Sequence, residues 1–476
     1  MIRTRFAPSP TGQMHIGNLR TALYAYLIAK HEGGTFILRI EDTDRSRNQP
    51  EALQGIYRGL ALAGLEHDEG PNKGGDYGPY VQSERLPIYQ EHGQRLVESG
   101  NAYYCFCAKT EKTDDDEEAS YAEVTRDPCR NLSPEAVAEK FSQGIVPVIR
   151  QRIPESGSTT YDDLILGSIT FENNQLDDQI LLKSDGFPTY NFANVVDDHL
   201  MAITHVVRGQ EYLSSAPKYS LLYEAFGWQP PAYAHMPLIV KEDGSKFSKR
   251  AGDPGFEDLV RMGYLPSAIL NYVALLGWNP GTDQEIFYLE DLVKVFDFHR
   301  INVSPAKFSF DKLNWMNGEH IRLLSPEAFH ALALPYYPES LRNLDLERVS
   351  ALIQLRTEKL TEIPAMVAFL AELPAYELDL FESQKSKSSL ESSRKVLADT
   401  LPLLENMTEW SNTALFEQLK AYAQESGQKV GTVMWPIRTA VSGLAFTPGG
   451  ATELAEILGK DETLKRVRIA LSRLES

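Results

Sequence analysis

Two short stretches carry residue types suited to a polyphosphate. His15-Ile16-Gly17-Asn18 follows the Gly/Pro-punctuated segment Pro8 to Gly12 and opens an apolar-periodic run. A helix that starts there presents unpaired backbone N–H groups and partial positive charge to an anion. Gly12 permits a tight loop, Gly17 lets a ligand approach the backbone, and His15 can donate to an oxygen on which charge builds. Lys246-Phe247-Ser248-Lys249-Arg250 supplies three cations behind the turn Glu242-Asp243-Gly244. Such a loop can close over a triphosphate and offset charge on leaving pyrophosphate, with Lys249 the foremost of the three. Alone, the first string is a helix start and the second a solvated basic loop. Their order and context argue for two halves of one ATP site.

The elements that must position these residues follow from periodicity. Ile2 to Ala7 alternates as a strand, with Ile2, Thr4 and Phe6 on one face and Arg3 and Arg5 on the other. Ile16, Leu19, Leu23, Tyr26, Leu27 and Lys30 have helical spacing, so a helix is expected over His15 to His31, stopped by Gly33-Gly34. Thr35 to Ile40 reads as a second strand. Strand, loop, helix, strand is the opening of a doubly wound α/β sheet. From about residue 80 to 190 the pattern is mixed, with strand candidates at Val146 to Ile153 and Ile180 to Lys183, and reads as an insertion. Alternation returns at His205 to Arg208 and at Pro237 to Val240. After Asn317 apolar residues such as Leu346, Val349, Ile353, Leu360 and Ile363 recur at helical spacing, so an all-helical C-terminal third is expected.

Bulk numbers set limits. A chain of 476 residues suggests about three domains. No run of eighteen apolar residues occurs, and Met1 to Phe6 lacks the apolar stretch of a secretory signal, so a cytosolic protein is expected. The net charge of -19 disfavours nucleic acid unless a basic groove is set apart from the acids. Such segregation exists: the first sixty residues hold eight Lys/Arg against five Asp/Glu, while Glu111 to Glu123 holds seven acids and one Lys. Three cysteines argue against a disulfide framework, but Cys105, Cys107 and Cys129 share one 25-residue window.

Longer strings carry a family resemblance. Phe6-Ala7-Pro8-Ser9-Pro10-Thr11-Gly12 with His15-Ile16-Gly17 resembles the HIGH region of class I aminoacyl-tRNA synthetases, in the glutamyl/glutaminyl branch; Asn18 stands where the class name has a second His. Lys246 to Arg250 resembles the KMSKS loop. Arg39-Ile40-Glu41-Asp42-Thr43-Asp44, the segment Asp185 to His199, Val207-Arg208-Gly209-Gln210-Glu211 and Asn314 to Gly318 resemble further strings of the glutamyl enzymes. The resemblance implies a Rossmann-type catalytic domain over 1–80 and 190–255. It implies an inserted mixed α/β acceptor-stem-binding domain over 81–189, a stem-contact region over 256–320 and a helical anticodon-binding domain over 321–476.

The implied chemistry is ATP-dependent activation of L-glutamate, with Mg²⁺, and transfer to tRNA(Glu) by a cytosolic monomer. Carried over residue by residue, His15, Gly17, Lys246 and Lys249 would be catalytic. Ser9, His15, Gly17, Glu211, Lys246, Ser248 and Lys249 would hold ATP, with Tyr212 beside them. Arg5, Tyr190 and Asn194 would read the side-chain carboxylate, Arg208 would neutralise a substrate carboxylate, and Ser9 and Glu41 would face the amine. Arg is the natural partner of a carboxylate and a buried acid that of an amine. Taken singly, Asp197 and Asp198 also read as helix caps, Arg39 as a strand residue and Glu41 as a loop acid. Asp44, Arg47 and Arg356 would touch tRNA. Some relatives hold Zn²⁺ through CxC, C and H. Here Asn131 falls where the His would be, so Cys105, Cys107 and Cys129 are either three free thiols of a site that has lost its metal or tentative zinc ligands with Tyr121 or water completing the set. Two other functions remain open, a short paralogue that glutamylates a modified tRNA base and a non-catalytic tRNA-binding paralogue. The 150 or so residues after Asn317 speak against the first, and His15 with Lys249 against the second.

Overall fold

The computed structural model describes residues 1–10, 14–43, 50–107, 126–247 and 252–475. Gly12, Asp44, Arg47, Tyr121, Ser248, Lys249, Arg250 and the acidic stretch from Glu111 to Glu123 lie outside the described residues. The chain divides into two compact units, Met1–Val260 with Pro266–Phe310, and Arg261–Leu265 with Asp311–Ser476.

In chain order the first unit contains strands β1 (Arg3–Phe6), β2 (Thr35–Leu38), β3 (Ala102–Cys105), β4 (Val148–Gln151), β5 (Ser158–Asp163), β6 (Gly167–Glu172), β7 (Ile180–Leu182), β8 (His205–Gly209), β9 (Ala232–Met236), β10 (Ile239–Val240) and β11 (Ala306–Lys307). Among them run helices α1 (Ile16–His31), α2 (Pro50–Leu62), α3 (Leu86–Glu98), α4 (Pro134–Ser142), α5 (Tyr190–Leu200) and α6 (Ala216–Phe226). The main sheet has the order β2-β1-β8-β9-β5-β6. Its strands pair in parallel except for β6, which closes the edge as an antiparallel hairpin with β5. From β1 the chain goes outward to β2, and from β8 outward to β9. The order therefore reverses between β1 and β8, and their carboxyl ends flank the crevice where ligands of open α/β sheets bind.

Burial differs from the simple alternation expected of Ile2 to Ala7. All four residues of β1 are buried. The cause is a central parallel strand covered on both faces. α1 packs on β1, β2 and β8. Ile37 and Val206 meet Phe192, Val195 and Val196 of α5 in a separate apolar cluster. α1 is itself buried nearly all round, Ala22, Tyr24, Ala25, Ile28 and Ala29 included, not along one stripe. It ends as Gly33-Gly34 suggest. Gly33 has φ +61°, and the Gly34 amide reaches back to the Ala29 carbonyl at 2.7 Å, which is the glycine-terminated helix end. A Cβ on Gly34 would lie 2.2 Å from the Ile2 carbonyl oxygen, so the turn into β2 also needs glycine for room.

The hairpin β5–β6 comes from the segment expected to be an insertion, yet it extends the main sheet. The rest of that segment forms the antiparallel sheet β3-β4-β7. The second unit is helical, as the spacing after Asn317 suggests, with Val349, Ile353, Val396, Leu397, Val433, Ile437, Leu454 and Val467 buried. It contains one large buried cation. Arg466 donates to the carbonyls of Phe369 and Val441, each at 2.7 Å, and its Nε meets Glu462 at 2.8 Å. Those carbonyls lie near the C-terminal ends of the helices Ile363–Ala371 and Val430–Ser442, where a cation is favoured.

Candidate functional site

The crevice is built on charge. Arg39, just past β2, sends Nη1 to Asp198 at 2.7 Å and Nη2 to Glu41 at 3.0 Å, with Asp197 at 3.8 Å from Nε. Arg5 grips Asp198 with Nε at 3.0 Å and Nη2 at 3.3 Å. Arg85 holds Asp197 at 2.7 Å, and Gln82 and Tyr89 bond its other oxygen at 2.9 and 2.8 Å. All of these groups are buried. Asp197 and Asp198 are therefore not helix caps. They project from α5 as the anions that hold three arginines brought in by β1, the end of β2 and the start of α3. Arg39 is likewise more than a strand residue, and Glu41 more than a loop acid.

Around this cluster several buried polar atoms have no hydrogen-bond partner among the described residues: Glu41 Oε2, Asn194 Oδ1, and Nη1 and Nη2 of Arg208. Buried polar groups are normally paired, so such a concentration marks where a ligand supplies the missing bonds. Burial pushes the Glu41 carboxyl up to about 7 against the pull of Arg39 and Arg5. Burial first, and then the Glu41 charge, holds the Tyr190 and Tyr212 phenols above their ordinary range, so both lie within electrostatic reach of Glu41. Their rings are 5.3 Å apart. Asn194, one helical turn beyond Tyr190, spends Nδ2 on the Tyr190 carbonyl at 2.8 Å, so it presents an acceptor to the pocket. The Arg208 guanidinium lies 4.6 Å from the Tyr219 ring, 4.7 Å from Tyr233 and 5.6 Å from Tyr212. Such cation–π faces stabilise the charge without consuming its donors.

The expected phosphate end is assembled beside it. The Glu41 amide bonds the Pro8 carbonyl at 3.1 Å, so the segment carrying the exposed Ser9 runs alongside the segment carrying Glu41. His15 is the N-cap of α1, and its Nδ1 accepts the Asn18 amide at 3.1 Å. An accepting Nδ1 carries no proton, so the neutral ring holds its proton on Nε2. The cap thus sets the donor end of His15. Gly17 serves the same ring: a Cβ there would lie 3.1 Å from His15 Nδ1. In the turn after β8, the Glu211 carboxylate lies over Gly209, where a Cβ would come within 2.1 Å of Oε2. Lys246 is exposed on a short hairpin that bridges back to Val240, with Gly244 at φ +84° in its turn. Phe247 anchors that hairpin by stacking on Phe308 at 4.3 Å. Arg20 of α1 donates to the Pro237 carbonyl, and to that of Leu276 at 3.1 Å, tying α1 to the stretch that leads into the hairpin.

Two further groups hold residues that the sequence singles out. Cys105, Cys107 and Cys129 come together as the window suggests, but the fourth donor is Asp127, and the four ligand atoms lie within 4.8 Å of one another. Asn131, four residues beyond Asp127, is exposed. In the helical unit Arg356 is exposed and donates to the Thr447 carbonyl, and Arg438 stacks 4.2 Å over Trp435 and bonds the Ala445 carbonyl at 2.9 Å. Sequence reasoning missed Asp127, Arg438, Asp163 and His235. Asp127 had a usable signal in its position two residues before Cys129. A histidine inside the buried strand Ala-Tyr-Ala-His-Met had only its polarity.

The chain is similar to known proteins along its whole length. A family model described as tRNA synthetases class I (E and Q), catalytic domain, matches residues 1–315, and one described as anticodon binding domain matches 328–471. The chain is 56% identical to a glutamate–tRNA ligase of Clostridium tetani over all of this chain and 98% of that one. It is 55% identical to one of Clostridium novyi, again over all of this chain and 98% of that one. Among solved structures it is similar to a glutamate–tRNA ligase from Elizabethkingia meningosepticum in complex with its amino acid, with TM-score 0.87, 34% identity and 99% of both chains covered.

The contact between position 18 and His15 is made by backbone, not by the Asn18 side chain. Asn18→His therefore leaves the cap in place. The rate of ATP–pyrophosphate exchange should stay within about threefold of wild type. A change near a hundredfold in either direction would show that the Asn18 side chain itself takes part.

Proposed function

The chain belongs to the glutamate–tRNA ligases of the class I aminoacyl-tRNA synthetase family, and from that premise we propose which of its residues carry out each part of the reaction. The observation that bears most weight is the set of unpaired buried atoms at the crevice. An acceptor on Glu41 suits an ammonium, and the open fork of Arg208 suits a carboxylate. The Arg5 guanidinium and the Tyr190 hydroxyl then read the other carboxylate. Asn194 reads that carboxylate with them, placed one helical turn beyond Tyr190 by its bond to the Tyr190 carbonyl. Ser9, beside Glu41, completes that side.

At the phosphate end, His15 Nε2–H, the Gly17 turn and the α1 N-terminus take the triphosphate. Lys246 with Ser248 and Lys249 closes on it, and Glu211 lies on the nucleotide side. The α-carboxylate of glutamate attacks the α-phosphorus in line and pyrophosphate leaves. A terminal ribose hydroxyl of tRNA(Glu), the 2′ by class, then takes the glutamyl group and AMP leaves. The protein contributes position and charge compensation. Mg²⁺ accompanies ATP as a hard cation held largely by phosphate oxygens. Residues 81–189 take the acceptor stem, 256–320 contact the stem and 321–476 bind the anticodon, with Asp44, Arg47 and Arg356 touching tRNA. The enzyme acts as a cytosolic monomer. The test is glutamate-dependent ATP–pyrophosphate exchange with and without tRNA(Glu). Exchange is expected with tRNA present, and none in either condition overturns this assignment.

Glu41 makes the amine contact pH-dependent. Its carboxyl is ionised only above about 7 in the empty pocket. A substrate ammonium favours the ionised form, so at lower pH binding must expel a proton. The KM for glutamate should rise by up to about tenfold per pH unit as pH falls below about 7. Glu41→Gln should weaken glutamate binding and flatten that slope. A flat wild-type profile between pH 8 and pH 6 would remove Glu41 from the amine contact.

The thiol cluster fits zinc. A Zn–S distance of about 2.3 Å in a tetrahedron places sulfurs nearly 4 Å apart, and Cys107 and Cys129 are 3.6 Å apart. Asp127 lies 3.0 Å from Cys105 and 3.8 Å from Cys107. Cys105, Cys107, Cys129 and Asp127 would hold the ion, which would cross-link β3 to the turn at Pro128–Asn131. The protein purified without chelator should contain about one zinc per chain. Asp127→Ala should lose it to a chelator at least about tenfold more readily, with Asn131→Ala unchanged. Metal-free protein, or equal loss from both variants, would refute the assignment of Asp127.

A further inference from the structure

Arg208 is held in a way no other arginine of the crevice is. Its Nε donates to His235 Nε2 at 3.0 Å, and His235 Nδ1 meets Asp163 Oδ2 at 2.6 Å. Arg208 and His235 are register partners on the neighbouring parallel strands β8 and β9, and Asp163 ends β5, the next strand. All three residues are buried. We infer that Asp163 and His235 are positioning residues for substrate recognition. They hold Arg208 by its Nε edge alone and leave both terminal nitrogens for a carboxylate of the amino acid. This rests on the role of Arg208 proposed above.

The chain of bonds admits one protonation pattern. Asp163 accepts four times: from His235 Nδ1, from the His235 amide at 3.1 Å, and from the Ile165 and Leu166 amides at 2.9 Å each. Burial works to raise the Asp163 carboxyl, but His235 and the Leu166 and Ile165 amides outweigh it and hold it below the usual carboxylate range. An ionised Asp163 can only accept, so His235 carries its proton on Nδ1. Nε2 then has a lone pair for the Arg208 N–H. A second proton on the ring would set two donors face to face at 3.0 Å. Burial opposes it, holding the imidazole below its ordinary range.

The comparison with Arg5 shows what the imidazole contributes. Asp198 lies directly on Arg5 and engages two of its three nitrogens. If Asp163 lay directly on Arg208, two of its three nitrogens would be engaged in the same way. A neutral ring between anion and cation balances the buried charge at one remove. Nη1 and Nη2 stay unpaired, and the aromatic faces of Tyr219 and Tyr233 limit where they can swing. Asp163→Asn is nearly isosteric but places an N–H toward His235 Nδ1. That reverses the tautomer and turns an N–H against Arg208, as loss of the orienting carboxylate does in other Asp–His pairs.

The test uses the full-length enzyme with tRNA(Glu), measuring KM for glutamate and for ATP and kcat of pyrophosphate exchange. The proteins are wild type, Asp163→Asn, His235→Gln and Arg208→Gln. Both relay variants should raise the KM for glutamate tenfold or more and leave the KM for ATP within twofold. In ¹⁵N-histidine-labelled wild type, the signals that vanish in His235→Gln should show a neutral ring protonated at Nδ1. If Arg208→Gln raises the KM for glutamate while the relay variants match wild type, the inference fails and the role of Arg208 stands. If Arg208→Gln leaves that KM unchanged, the role of Arg208 fails and the relay with it. Equal rises in both KM values would mark a merely structural pair and overturn the inference. So would a ring protonated at Nε2, a readout that stands even if Asp163→Asn does not fold.

Discussion

The crevice depends on the mutual neutralisation of three guanidiniums and three carboxylates in a space that water does not reach: Arg5, Arg39 and Arg85 against Glu41, Asp197 and Asp198. Removing such ions from water costs several kcal/mol each, and only close pairing with further hydrogen bonds offsets it. The pairing is tight at Asp197 and Asp198, and incomplete at Glu41. The incompleteness is where function enters. A cluster with every atom satisfied would be a stable core and nothing more. This one leaves an acceptor over, at a carboxyl whose own burial makes it a weak anion until a cation arrives.

The cluster also explains the sheet. Arg5 comes from the first strand, Arg39 from the end of the second, Arg85 from the turn into α3, and the two aspartates from a helix nearly two hundred residues after Arg5. No local rule requires those segments to meet. The ion pairs specify the meeting, because a slipped register would bury a charge without its partner, a penalty of about 3–5 kcal/mol. Arg466 does similar work elsewhere, joining helix ends that apolar packing alone would leave less defined.

Much of the fold was legible because it was written in local rules. α1 showed its spacing and its glycine stop, and β1 and β2 were short by a residue or two. The helical third was plain from periodicity. What the sequence could not show was the second side of burial: Arg3 and Arg5 look solvent-facing in an alternating strand, and only the sheet's central position buries them. The same blindness hid the partners of the candidate site residues. Arg5, Glu41 and Arg208 could be named from their types and strings, but not that Asp198 already occupies Arg5. Nor was it visible that Asn194 leaves its oxygen unpaired, or that an aspartate on β5, two strands from Arg208, reaches it through His235. Those are contacts between strands distant in sequence, and nothing in the spacing within any one strand encodes them. At the thiol window the spacing points to Asn131, whereas the carboxylate grouped with the three thiols is that of Asp127.

His15 performs two tasks with one ring. Its Nδ1 finishes the first turn of α1, which places the proton of the neutral ring on Nε2. That division narrows what evolution or an engineer can place there. Asparagine caps a helix at least as well but is too short to donate from the far side of the ring. Glutamine has the length, yet its amide sits too far out to accept the Asn18 amide. A lysine would donate and cap nothing. Imidazole alone offers an acceptor and a donor on opposite edges of a rigid plane. Helix stability and the donor role proposed for His15 therefore constrain the same ring.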